Sequence, residues 1–192
     1  MAGKQAKVLS KAQEHALLQQ AASGRYPERD RVMVLLSVKA GLRAGEIAKL
    51  TWPMVLDPQG RIAERIELHD RAAKKRSGRT IPMHPELKTA LARLRRLQAD
   101  DTPAVIRSER GGAMRPGSVV NWFATTYRAL GFEGCSSHSG RRTFITSAAK
   151  LVSKAGGSLR DVQQLAGHRS IDMTQRYIEG DTQAKRRLIA ML

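Results

Sequence analysis

The chain has little of three things that restrict a protein's class: cysteine, aromatic residues and long apolar runs. Its single cysteine, Cys135, rules out an internal disulfide framework and fits a reducing compartment. Cys135 lies three residues before His138, but no second Cys-x-x-Cys or His-x₃-His follows, so we interpret it as a small buried residue and expect no metal site. The longest apolar stretch, residues 32–38, is far shorter than the roughly 20 residues of a membrane span. We therefore expect no membrane partner and no secretory signal.

Acidic residues are also scarce relative to basic ones. Lys and Arg number 34 and Asp and Glu 17, which gives a net charge of +17 and a sequence pI of about 11.0. Such an excess attracts polyanions, and of the two candidate polyanions, nucleic acid and an anionic membrane surface, the sequence favours nucleic acid. Aromatic residues make up only 4% of the chain, whereas proteins that grip single strands stack bases on aromatic side chains. The composition therefore favours a protein that contacts the backbone of double-stranded DNA. We expect this protein in the cytoplasm, associated with the nucleoid when it is bound to DNA.

Local patterns predict an α-rich α+β fold in one domain. Ser10 and Gln13 form a capping box that predicts a helix to about residue 22. An apolar helix over residues 28–40 follows, and Gly41 ends it; a short helix over residues 44–50 comes next. Residues 119–127 indicate a further helix, and the last third of the chain is also helical. Asp172 is predicted to cap the turn that carries Tyr177.

Between these helices the period of the apolar residues changes. Ile62, Ile66 and Leu68 alternate, and residues 80–83 form a second β-like piece, so we predict a small antiparallel edge sheet. Helical spacing then returns in a stripe of four leucines: Leu87, Leu91, Leu94 and Leu97.

Six chemically active residues stand out by their order along the chain. They occur in the blocks GLRAGEIAKLTW, KKRSGR, SHSGRR and LAGHRSIDMTQRY. Together they offer several hydrogen-bond donors around one phenol, which suits a phosphodiester on which negative charge builds. The six are Arg43, Lys74, His138, Arg141, His168 and Tyr177.

These blocks resemble the catalytic domain of the tyrosine recombinases, the phage-integrase family. GLRAGEIAKLTW is similar to the block around the family's first arginine, His138 and Arg141 match its His-x-x-Arg element, and Tyr177 stands nine residues after His168 at the nucleophile position. The resemblance implies the tyrosine recombinase catalytic-domain fold and site-specific cleavage and rejoining of duplex DNA, in integration, excision or inversion. It also implies a covalent 3′-phosphotyrosine intermediate, with no metal ion, ATP or other cofactor.

The resemblance also implies a role for each residue. Arg43 and Arg141 clamp the non-bridging phosphate oxygens with planar, bidentate donors. His168 adds a donor to the same phosphate, and His138 exchanges a proton with the hydroxyl of Tyr177.

Two further residues have supporting or proton-donating roles. Lys74, on a hairpin, protonates the departing 5′ oxygen, and Glu46 orients Arg43 from one helical turn away. Two adjacent pairs leave alternatives open: Lys75 directly follows Lys74, and Arg142 directly follows Arg141. Five basic residues are predicted to contact DNA: Lys75, Arg76, Arg79, Arg142 and Arg169.

The expected organisation is a single catalytic domain over residues 1–192 of the single-domain type, without the family's N-terminal core-binding domain. Within it, residues 1–9 are expected to form a flexible tail and residues 181–192 a C-terminal helix that docks on a neighbouring protomer. The expected assembly is a homotetramer on DNA, with accessory DNA-binding proteins possible and a monomer or weak oligomer when free. Two alternatives remain: type IB topoisomerase-like relaxation of DNA, and a catalytically silent DNA-binding protein.

Overall fold

The computed structural model describes residues 5–73, 78–98, 102–177 and 189–190, and these residues form a mostly helical α+β fold. No helix in these ranges is long and apolar enough to cross a bilayer. Along the chain the elements are α1 (Lys11–Ala22), α2 (Pro27–Val38), α3 (Ala44–Ala48), a 3₁₀ turn (Trp52–Met54), β1 (Arg65–Leu68), β2 (Arg79–Pro82), α4 (Pro85–Leu97), α5 (Pro116–Ala129), α6 (Ser139–Leu151), α7 (Leu159–Ala166) and α8 (Ile171–Gln175).

The N-terminal segment is held to the body of the protein. The predicted capping box is present, because Ser10 Oγ accepts from the backbone N–H of Gln13 while the Gln13 side chain accepts from that of Ser10. Ahead of it, Leu9 is buried and its N–H donates to Thr143 Oγ1 at 2.8 Å. The flexible tail expected over residues 1–9 stays a prediction; in the structure an apolar side chain and backbone hydrogen bonds hold the described residues just before α1.

The predicted antiparallel sheet is confirmed, but it is short. β1 and β2 pair over four residues each, with Ile66 opposite Ile81, and both side chains are buried. Ile62 lies outside the sheet and forms an isolated bridge with Leu56. In α4 the leucine stripe is buried except for Leu97, which is 70% exposed because the last turn extends past the core.

Apolar side chains collect into two separate clusters. The main core takes buried residues from α1 to α5, the sheet and the loops between them, including Leu36 and Phe123. Cys135, predicted to be buried, is only half-buried and packs against this core. The small core consists of the buried residues Ile145, Val162 and Ala166, with partly buried neighbours around them: Phe144, Ala148, Ala149, Val152, Leu159 and Tyr177.

A close approach between α6 and the end of α2 joins these two regions. Gly41 has φ of 64°, and a Cβ added there would lie 2.3 Å from the Phe144 ring. A Cβ on Gly140 would lie 2.2 Å from Ser37 Oγ. Only glycine leaves room for this packing, which sets the first turn of α6 beside the loop that precedes α3.

Candidate active site

The predicted pair of Arg43 and Glu46 is present at the start of α3. Glu46 is 1% exposed and accepts the backbone N–H of Arg43 at 3.0 Å and its guanidinium Nη1 at 2.7 Å. The Arg43 side chain remains about one-fifth exposed. A buried carboxylate in the first turn therefore fixes an arginine whose outer face is open to a ligand.

A second arginine shares the same carboxylate. Arg79, the first residue of β2, donates from Nη1 and Nη2 to the two oxygens of Glu46 at 3.3 and 3.1 Å. Its Nε donates to the carbonyl of Leu165 at 2.8 Å, and its side chain is only 5% exposed. Arg79 was predicted to contact DNA, but the structure places its side chain inside the protein, because a charge run in sequence does not reveal a buried acidic partner.

Arg141 lies in the first turn of α6 and completes the cluster. Its Nη1 and Nη2 each donate at 2.6 Å to a backbone carbonyl, that of Gly41 and that of Ala166. Arg142, the alternative, has its Nη1 hydrogen-bonded to the carbonyl of Ala6 at 3.0 Å and is 9% exposed. Of the two adjacent arginines, Arg141 is therefore the one that joins the site, and the placement of Arg142 ties down the N-terminal segment.

His168 enters the cluster through the turn after α7. Asp161 and Ser158 cap the start of that helix, and Gly167 ends it with φ of 63° in the left-handed conformation. His168 is 7% exposed, and its Nδ1 lies 2.9 Å from Thr174 Oγ1. The imidazole is thus buried and held from one ring nitrogen.

Tyr177 follows α8 and stacks on the histidine. The two rings have centroids 5.5 Å apart and an interplanar angle of 24°. The half-buried tyrosine donates its backbone N–H to the Thr174 carbonyl at 3.0 Å, and its own carbonyl accepts from Thr146 Oγ1 at 3.4 Å. The structure therefore brings Tyr177 together with His168 and the arginines.

The cap of α8 differs from the predicted one. Ser170 is its N-cap residue, and Asp172 lies inside the first turn, where its carbonyl accepts the N–H of Arg176 at 3.2 Å. Asp172 was predicted as the cap because an acidic residue is favoured at either position near a helix start.

The remaining predicted residues are less closely associated with the cluster. His138 is the exposed N-cap residue of α6, three residues before Arg141, and its carbonyl accepts the N–H of Arg142. Arg169 is exposed beside His168. Lys74, Lys75 and Arg76 fall outside the described residues, so their predicted roles stay predictions.

The cluster carries more positive than negative charge. Burial would raise the pKa of Glu46, but the hydrogen bonds and charge of Arg79, and then those of Arg43, lower it to about 2. Burial, followed by the charges of Arg43 and Arg79, lowers the pKa of Arg141 to about 9. The pKa of His168 falls to about 4, first through burial and then through the charges of these arginines. At neutral pH the site holds three guanidinium cations, one carboxylate and a neutral imidazole, so an anion would relieve its excess charge.

A large groove elsewhere on the surface is not part of this cluster. It has a volume of about 1320 Å³ and lies between the segment around Ile62 and α4, with Met54 and Lys88 among its lining residues. None of the arginines described above lines it. The chemically distinctive residues therefore lie outside this groove.

The model of the phage integrase family matches residues 7–184. The chain belongs to the phage integrase family. The catalytic residues predicted for a family member are those that the arginine–histidine–tyrosine cluster brings together, apart from His138, the exposed N-cap residue of α6, and Lys74, which lies outside the described residues.

Among curated relatives, this chain is 28% identical over 159 residues to the tyrosine recombinase XerC of Brucella suis. The match covers 81% of this chain and 47% of that protein. Among solved structures, it resembles the crystal structure of XerA recombinase with a TM-score of 0.74 and 25% identity, covering 96% of this chain and 64% of that one. The Tn1549 transposon integrase in complex with transposon right end DNA has a TM-score of 0.72 at 21% identity, covering 94% and 64%. The chain spans about half the length of the curated relatives that match most of it.

Two contributors to the site were missed by sequence reasoning. Thr174 was not singled out, although its spacing of six residues from His168 places it one short helix away from the imidazole. Arg79 was predicted as a DNA contact, and the local signal for its burial was its place two residues before the buried Ile81, on the same face of the strand. Both depend on partners distant in sequence or across a turn.

Proposed function

We propose that the chain is the catalytic part of a site-specific DNA recombinase, which cleaves and rejoins duplex DNA through a covalent 3′-phosphotyrosine formed by Tyr177. The observation that carries this proposal is the stacking of Tyr177 on His168 beside the buried, cation-rich cluster of Arg43, Arg79 and Arg141. Family membership and likeness to recombinase structures support it.

The chemistry follows from the available donors. The Tyr177 oxygen attacks the phosphorus, the bond from phosphorus to the 5′ oxygen breaks, and the leaving oxygen takes up a proton. Arg141 uses two of its five N–H groups on backbone carbonyls, which leaves three for a phosphate. Arg43 supplies donors from its exposed face, and His168 supplies a neutral donor as charge builds on the phosphate oxygens.

We assign the two proton steps to other residues of the predicted catalytic set. The Tyr177 hydroxyl must lose its proton to become an effective nucleophile, and we assign the removal of that proton to His138. Lys74, or Lys75 beside it, protonates the 5′ oxygen. The phosphotyrosine conserves the energy of the phosphodiester, so a 5′ hydroxyl of another strand can attack it and restore the DNA backbone without ATP.

The same proposal specifies the partners. Double-stranded DNA is the substrate, attracted by the net charge of +17. Strand exchange between two duplexes requires a homotetramer on DNA, aided by accessory proteins. A protein bound to DNA in this way is located on the nucleoid in the cytoplasm.

The decisive experiment traps the covalent intermediate. The full chain is incubated with a nicked suicide substrate without divalent ions, and adducts are identified by mass spectrometry. The wild type should form an adduct at Tyr177, and Tyr177→Phe should form none. Tyr127→Phe is the matched control, because the Tyr127 hydroxyl is buried in the main core away from the site, where burial raises its pKa. An adduct in Tyr177→Phe, or none in the wild type, would overturn the proposal.

Two further measurements separate the alternatives and the lysines. Relaxation of a supercoiled plasmid that carries no paired target sites would favour type IB topoisomerase activity, and binding without any adduct would favour a silent DNA-binding protein. Loss of Lys74 should slow cleavage, and a substrate with a better 5′ leaving group should rescue it. Rescue of Lys75→Ala instead would assign the general acid to Lys75.

A further inference from the structure

We infer that Thr174 is a positioning residue that fixes the tautomer of the His168 ring and the place of the Tyr177 backbone at the same time. The inference rests on the proposed function and assigns a role to a residue outside the predicted catalytic set.

Thr174 contacts both functional residues through different atoms. It is fully buried in α8, with no exposed surface. Its Oγ1 lies 2.9 Å from His168 Nδ1, and its carbonyl accepts the backbone N–H of Tyr177 at 3.0 Å. Because threonine is β-branched, its side chain has few rotamers, so the hydroxyl and the backbone of the same residue are rigidly related.

The contact to Nδ1 decides what the other ring nitrogen can do. Among the charged groups near His168 are Arg141, Arg43 and Arg79, which with burial keep the imidazole neutral. A neutral imidazole has one N–H and one lone pair. When the Thr174 hydroxyl donates to Nδ1, the proton resides on Nε2, and the ring can donate to a phosphate oxygen without being protonated.

A threonine differs here from the more usual partners of a functional histidine. A carboxylate or a backbone carbonyl at Nδ1 only accepts, so it forces the proton onto Nδ1 and leaves Nε2 as a lone pair, which suits a general base. A hydroxyl can donate. Because a hydroxyl can also accept, it permits either tautomer, and a phosphate oxygen at Nε2 then selects the Nε2–H form, in which His168 is a hydrogen-bond donor rather than a base toward Tyr177.

The stacked rings make this arrangement sensitive to the hydroxyl. The rings of His168 and Tyr177 have centroids 5.5 Å apart, so a rotation of the imidazole displaces the phenol. Loss of the hydroxyl should therefore affect cleavage through the histidine, whereas the backbone contact to Tyr177 persists with any side chain at this position.

The test compares Thr174→Val, which has the same shape without the hydroxyl, with Thr174→Ser, which keeps it. ¹⁵N NMR of histidine-labelled full-length protein, with the signal assigned by its loss in His168→Gln, reports the tautomer with and without inorganic phosphate. Wild type and Thr174→Ser should show the Nε2–H form with phosphate bound, and Thr174→Val should lose that preference. Single-turnover cleavage of the suicide substrate should slow about tenfold in Thr174→Val and recover in Thr174→Ser.

A double-mutant cycle separates positioning from a purely structural role. In the His168→Gln background Thr174→Val should cost little further rate, because its effect passes through the ring. An equal cost in both backgrounds, an unchanged tautomer in Thr174→Val, or an Nδ1–H form in the phosphate-bound wild type would each overturn the inference. If the wild type forms no adduct, the proposed function fails, and the NMR comparison still decides the role of Thr174.

Discussion

The main core and the small core differ in size, and they carry different parts of the site. The main core buries side chains from five helices and the sheet, and it supports Arg43 and Glu46 at the start of α3. The small core has three fully buried residues, and Tyr177 itself packs at its edge. Arg43, Glu46 and Arg79 therefore lie on elements of the main core, while the predicted nucleophile packs at the edge of the small one.

This difference has a physical consequence for motion. Regions with few buried apolar contacts open at lower free energy than a large core. The small core is joined to the main core by the close packing of α6 on the end of α2 and by polar links, in which Arg79 donates to the carbonyl of Leu165 and Arg141 to that of Gly41. We expect the segment with His168 and Tyr177 to exchange its amide hydrogens faster than the segment around α2.

The largest expected effect comes from removing the negative charge of Glu46, which forms ion pairs with Arg43 and Arg79. Glu46→Gln leaves the arginines that contact this carboxylate without their counter-charge, so the free energy of unfolding should fall by about 4 kcal/mol. Sulfate should restore part of the loss, because an anion replaces the missing charge. Urea unfolding with and without sulfate measures both.

Glu14→Gln is the matched control for that change. Glu14 is also buried, but its partners are Lys11 and Lys39 at the protein surface, so the expected loss is less than about 1 kcal/mol. Equal losses in the two variants would show that the arginine cluster has no special electrostatic role in stability.

A second comparison uses two isoleucines that are both fully buried, Ile66 in the main core and Ile145 in the small core. Ile66→Ala should cost about 3 kcal/mol and Ile145→Ala about 2, because the smaller cluster relaxes more easily around a cavity. Hydrogen exchange should also show that Ile145→Ala loosens α7 and α8 while leaving α2 protected. Global loosening by either variant would contradict the distinction between the two regions.

The smallest expected effect is on pH dependence. His168 has a pKa of about 4 in the folded protein against 6.5 for the free side chain, so between these values the unfolded chain binds more protons. The free energy of unfolding should therefore fall as the pH falls from 6.5 toward 4, by about 1 kcal/mol in the first pH unit. The difference between wild type and His168→Gln isolates this contribution. A difference that does not change with pH would show that the histidine is not held neutral.

Local signals predicted much of the fold. The capping box at Ser10 and the left-handed turn at Gly41 depend on residues a few positions apart, so the sequence shows them directly. The exposure of Leu97 at the end of α4 was harder to predict, because it depends on where the rest of the core ends.

The site shows the same division between local contacts, which the sequence predicts, and long-range contacts, which it does not. Arg43 and Glu46 are one helical turn apart, and their pairing follows from spacing. The contact of Arg79 with Glu46 spans 33 positions, and its contact with Leu165 spans 86. Such long-range partners are set by tertiary packing, so a pattern of charges along the chain could not predict them.

The two arginine contacts to α7 have a consequence for sequence change in evolution and engineering. Their acceptors, the carbonyls of Leu165 and Ala166, belong to the backbone, so exchanges of those two side chains leave the acceptors available. An insertion or deletion between Gly157 and Gly167 would rotate both acceptors out of reach. Chimeras built from relatives should therefore tolerate divergent residues in this stretch but require its length to be preserved.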